Sequence, residues 1–142
     1  PAEGSTLTRA NTLANMAWVV QQMGDRPQAA TLLREALALQ SQLREVSGLA
    51  VTLEDAAQYA LLVDRPDVAA RLLGAADALR GQLGIAILPF NLDEHHTLVA
   101  RTREVLGETP FAAASAQGAM LSLDQAVAEA DAVLAAAAGG TE

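Results

Sequence analysis

"GDRPQAATLLREALAL" (24–39) and "DRPDVAARLLGAADAL" (64–79) are two versions of one segment, and the way they repeat decides the fold. At an offset of 40, residues 12–43 and 52–83 coincide at twelve of 32 positions, among them Thr12/Thr52, Ala17/Ala57, Ala29/Ala69, Leu33/Leu73 and Ala36/Ala76. A shuffled chain as rich in Ala and Leu would give roughly three or four matches, so a fixed period explains the likeness better. Each copy reads as two helices. The first closes at Gly24, a residue suited to the left-handed turn, and Asp25-Arg26-Pro27 restarts the chain with Pro near the first helical position. In the second copy Asp64 takes the place of the glycine. Ala29, Leu32, Leu33, Ala36, Leu39 and Leu43, and their counterparts Ala69, Leu72, Leu73, Ala76, Leu79 and Leu83, fall at helical spacing. One such hairpin cannot bury its apolar stripe alone, but a copy stacked beside it can.

Composition agrees. Hydrophobic residues are 51% of the 142 and aromatics 3%, so Ala and Leu carry the interior, as in closely packed helices. All nine basic residues are Arg, which fits a GC-rich bacterial genome. The net charge is −8, and after Arg103 there are six acids and no base, so neither nucleic acid nor an anionic membrane is an expected partner. With no cysteine, disulfides and thiolate metal sites are excluded. No signal peptide or membrane span is visible. A first residue that is Pro rather than Met predicts a piece excised from something longer.

Beyond Leu83 the character changes. "GIAILPFN" (84–91) reads as a loop. Asn91 with Glu94 reads as a capping box opening a helix that ends at Gly107. Thr109-Pro110 starts another, reaching about Ala119, and Ser122 with Gln125 forms a second capping box for a helix to about Ala138. The expectation is one all-α domain of about seven helices: repeat hairpins at about 6–46 and 48–83, then a divergent hairpin and capping helix at about 91–138.

The large and small residues of the first helix (Leu13, Met16, Ala17, Val20) and of the second (Ala29, Leu33, Ala36) resemble the tetratricopeptide repeat. The period of 40 exceeds the about 34 of that family. The resemblance implies a right-handed superhelix of tetratricopeptide-like αα-hairpins. "AARLLGAADALRGQLG" with "REVLGETPFAAASAQGAMLSLDQAV" is similar to the C-terminal tail of large bacterial signal-transduction ATPases and LuxR-type transcriptional regulators, over about residues 50–135. Ser115, where that family often has a large aromatic, Ala119, where it often has Arg, and the apolar "AILPFN" depart from it. The resemblance implies a cytoplasmic, non-catalytic protein-interaction or effector-sensing module, with ATPase and DNA-binding parts outside this chain.

His95 and His96, the only histidines, point about 100° apart on a helix and cannot chelate one metal as an i, i+4 pair does. His95 aligns with Leu92, Val99, Thr102 and Leu106 and reads as a core or interface-edge residue. Asp93 and Glu94 read as first-turn acids, and Arg101 and Arg103 as a solvated face. No glycine is followed by the Lys-Ser/Thr of a phosphate loop, so neither a cofactor nor a metal is expected. Asn11, Ala14, Trp18, Gln21 and Gln22 lie on the side of the first helix away from its pair, continued by Glu54, Gln58, Leu61 and Leu62. The tetratricopeptide resemblance implies that this side lines a concave groove for a partner. Trp18 reads equally as a groove anchor or as a residue that a further repeat would cover. A small-molecule or enzymatic pocket near Phe90, His95 and Phe111 is the alternative, and a structural spacer a third. An apolar strip of Leu7, Ala10, Ala14 and Trp18 predicts a homodimer through the first hairpin.

Overall fold

A computed structural model describes residues 2–84, 86 and 89–138, with backbone alone at 2–4, 7, 89–91, 137 and 138. Its described residues form seven α-helices: α1 (Ala2–Gln22), α2 (Arg26–Leu43), α3 (Val46–Leu62), α4 (Pro66–Leu83), α5 (Pro89–Leu106), α6 (Glu108–Ala119) and α7 (Leu123–Ala138). The chain is all-α, as its sequence predicts.

The helix ends repeat in register with the sequence. Gln22 and Leu62 end α1 and α3, Arg26 and Pro66 begin α2 and α4, and Leu43 and Leu83 end them, each pair 40 apart. Gly24 and Asp64 both take the left-handed conformation, at φ 90° and 63°. An Asp tolerates this region better than most side chains, which is why the second copy can dispense with glycine. Asp25 caps α2 by accepting from the Gln28 N–H (3.2 Å), and Glu45 caps α3 by accepting from that of Gly48 (2.9 Å). The break between the pairs lies at Arg44-Glu45, ahead of the 46/48 boundary expected.

α1 packs along α2, α3 along α4, and α2 against α3. Leu33, Leu37, Leu49, Leu53, Leu72 and Tyr59 fill the interior, and Ala29, Ala36, Ala69 and Ala76 are fully buried where larger side chains would hold the helices apart.

The C-terminal part departs from the sequence reading in two ways. Helix α5 begins at Pro89, so the backbone of Asn91 lies inside its first turn rather than at the N-cap position expected of it, and its side chain lies outside the described residues. Proline presets the first helical φ, which favours the earlier start. The α5–α6 pair is also a loose one, because the main partner of α6 is α4. Two glycines explain that choice. A Cβ added at Gly74 would lie 2.0 Å from the Ser115 carbonyl oxygen, and one at Gly118 would lie 1.8 Å from that of Arg71. The two helices therefore cross backbone to backbone, closer than any other residue permits.

The last capping box forms as the sequence predicts: Gln125 N–H donates to Ser122 Oγ (3.1 Å), and Ser122 N–H to Gln125 Oε1 (2.9 Å). Helix α7 buries Ala126, Ala130, Val133 and Leu134 and packs on α2, α3 and α4. Its acids have partners: Asp124 with Arg44 (3.0 Å), Asp131 with Arg34 (2.8 Å) and Glu129 with Arg71 (2.9 Å). The Arg34 guanidinium is raised above its ordinary value by the hydrogen bond to Asp131. The Arg34 and Arg44 pairs are exposed and contribute about 0–1 kcal/mol each, whereas the Arg71–Glu129 pair is half-buried, so the pairs orient α7 while its buried face holds it.

Gly74→Ala and Gly118→Ala should each destabilise by about 2–4 kcal/mol, because backbone must move on both sides. Gly81→Ala meets open space within α4 and should be neutral or stabilising by up to about 1 kcal/mol. Chemical denaturation of the three variants checks this, and Ala36→Leu should lose about 1–3 kcal/mol.

Candidate functional site

The middle of α3, the second half of α4 and the first half of α5 bring polar side chains together in the interior. Glu54 on α3, Arg80 and Asp77 on α4 and His95 on α5 meet in one network. Arg80 donates to Glu54 and to Asp77 Oδ1 (3.2 Å), and His95 Nδ1 donates to Glu54 Oε2 (2.8 Å). Arg80 is buried, Glu54 and His95 are largely so, and Asp77 is exposed. A buried guanidinium needs a carboxylate, and Glu54 supplies it from the facing helix. His95 adds α5 to the same pair.

Glu54, Asp77 and His95 lie close enough together for a cation to reach all three, with ligand atoms within 4.8 Å of one another. The Arg80 guanidinium already bonds both carboxylates, so the positive charge that a metal would supply is built into the chain. Local spacing could not reveal this cluster, since its members come from three helices. His95 therefore turns inward, as the helical phase predicts, while His96 is exposed.

Asp55, the neighbour of Glu54, is pushed up to about 7, first by burial and then by the charges of Glu54 and Glu94. Tyr59 is also raised, by its burial.

The expected groove residues divide. Trp18 and Gln22 of α1 and Gln58 and Leu61 of α3 line one cleft of about 210 Å³. Its other wall is α5, through Asp93, Glu94, Thr97, Leu98 and Arg101. The Trp18 side chain is 47% exposed. Among the described residues, the polar side chains of this cleft have no hydrogen-bond partner in the protein, so they face solvent or a ligand. Glu54 is instead committed to Arg80 and His95. Asn11 and Leu62 are exposed, Ala14 and Gln21 half-buried, and none of these four lines the cleft. Sequence reasoning missed the α5 wall: Arg101, expected on a solvated face, belongs to it. Arg103 instead lies 4.8 Å over the Phe111 ring and pairs with Glu108 at 3.1 Å.

The alternative pocket gains no geometry. Phe111 is buried, the His95 Nδ1 is taken by Glu54, and the Phe90 side chain lies outside the described residues. A second, open depression of about 630 Å³ lies between α2 and α7, but its Arg34 and Asp131 bond each other.

No helix of the described residues is long and apolar enough to cross a membrane. Scans against protein-family models, curated proteins and solved structures return no significant match to this chain.

Two outcomes follow from the charges. The raised Asp55 binds its proton more tightly in the folded state than the unfolded one. Its contribution is present in full below about pH 4 and is lost as pH rises through about 7. Asp55→Asn should then leave stability near pH 4 almost unchanged and add about 1–2 kcal/mol at pH 8, allowing for the partial exposure of this residue. Thermal melts across that range test it. With Arg80 filling the cluster, calorimetric titration with zinc should give no tighter binding for the parent than for the His95→Gln, His96→Gln double variant.

Proposed function

We propose that this chain is a non-catalytic protein-interaction module of a larger cytoplasmic bacterial signalling regulator, and that the cleft between α1, α3 and α5 receives the partner. The observation that supports this most is the exposed Trp18 indole set among unpartnered amide and charged groups of two other helices. A tryptophan so placed offers a large contact area at small entropic cost, the property of an interface anchor. The cleft is below the roughly 300–1,000 Å³ of sites that enclose a whole small molecule. It suits one or two side chains of a peptide or helix lying across it.

The tetratricopeptide resemblance of the repeat supports the same reading, as does the similarity of residues 50–135 to the tails of ATPase-linked and LuxR-type regulators. The mechanism is differential binding. A partner that holds α5 against α1 and α3 favours one arrangement of the helices, and α5 is tied to the interior by His95 and Glu54. Attached domains would sense that preference.

Selection from a random peptide library tests the proposal. Convergent peptides should bind in the micromolar range, shift Trp18 emission, and bind at least tenfold more weakly to Trp18→Ala and to Gln58→Ala. Peptides that bind both variants as well as the parent would contradict it.

A further inference from the structure

The repeat itself shows which face of the molecule lacks a neighbour. Thr12, Met16, Val19 and Met23 of α1 correspond, at the offset of 40, to Thr52, Ala56, Tyr59 and Val63 of α3. In α3 these positions are interior: Thr52 and Ala56 are 0% exposed, Tyr59 is 1% exposed, and Val63 packs against the core. In α1 the same positions face outward, with Met16 46%, Val19 49% and Met23 77% exposed and Thr12 exposed beside them. Residue type does not explain the contrast, since both sets are apolar apart from the threonine. Neighbours explain it: α3 lies between α2 and α4, whereas α1 packs chiefly on α2.

We propose that this outer face of α1 is the contact surface of a homodimer, in which a second copy lays its own α1 across it about a two-fold axis. Charge selects a second copy as the occupant. The chain carries a net charge of −8, so most of its surface repels another copy. Residues 4–24 contain no carboxylate at all, and their single base, Arg9, is held by Glu35 of the same chain at 2.9 Å. Two copies that cross at the middle of α1, near Met16 and Val19, can approach without bringing acids together, since Glu3 and Asp25 lie at the two ends of the helix. A two-fold contact also places like residues near each other, and the flexible thioethers of Met16 and Met23 can adapt around the stiffer Val19. It buries on both partners a strip that water disfavours.

The position of the strip differs from the sequence expectation. Ala10 is fully buried and Ala14 half-buried, both inside the fold, and the Leu7 side chain lies outside the described residues. Trp18 borders the cleft rather than the centre of this face. A helix of 21 residues is about 30 Å long, so the contact falls at the small end of specific interfaces. An interface of that size is typical of weak, concentration-dependent association.

Sedimentation velocity across micromolar concentrations tests the assignment. The parent should pass from monomer to dimer as concentration rises. Val19→Glu and Met16→Glu should each weaken the dimer at least tenfold while keeping the helicity and melting curve of the parent. Met120→Glu, at the exposed end of α6, should dimerise as the parent does. A parent that stays monomeric throughout overturns the proposal, and so does a dimer that persists in the Val19→Glu protein.

Discussion

The backbone-to-backbone crossing of α4 and α6 sets the arrangement of the C-terminal half. Helix α4 touches α3, α5, α6 and α7, and only a slender helix can have neighbours on so many sides. Its buried positions are mostly small, at Ala69, Ala70, Gly74, Ala75 and Ala76, with Val68, Leu72, Leu73 and Arg80 supplying the bulk. Gly74 and Gly118 cost helix stability in isolation, yet they allow contact that no side chain would permit. Once α6 occupies that side of α4, α5 is left to pack lightly on α3, α4 and α6. That position brings Asp93, Glu94, Thr97 and Arg101 opposite Trp18 and Gln58. A packing constraint in the core thus opens the cleft at the surface.

Arginine chemistry completes the assembly at two depths. Arg80 is buried and holds α3, α4 and α5 through Glu54, Asp77 and His95, where removing one partner would strand a charge in the interior. Arg34, Arg44 and Arg71 lie nearer the surface and meet the three acids of α7. The acidic C-terminal stretch, unpaired when read along the chain, is complementary to arginines contributed by α2, α4 and the turn after α2. Its negative charge is used within the molecule.

Most local patterns were legible in the sequence, the start of α5 excepted, and long-range contacts were not. The offset of 40 placed the helix ends because the turn residues Gly24 and Asp64 and the prolines after them act within a few positions. The Ser122/Gln125 capping box was equally local. The partner of His95 lies 41 residues away on another helix, and no spacing rule reaches it. Gly74 and Gly118 did carry a signal: a glycine inside a helical pattern usually has a packing reason. Trp18, Gln22, Gln58 and Leu61 followed from helical phase and do share one cleft, whereas Glu54, given to the same surface, turned inward to neutralise Arg80. A helical wheel can rank faces, but it cannot see a buried cation on the next helix.

If α4 is the helix on which the rest assembles, its amides should open only when the whole protein unfolds. Native-state hydrogen exchange, resolved by residue, measures this directly. The expected result is that amides of residues 69–76 exchange with the free energy of global unfolding, while those at the start of α1 exchange through smaller local openings. Residues 69–76 exchanging as readily as α1, or before α6 and α7 do, would contradict the account.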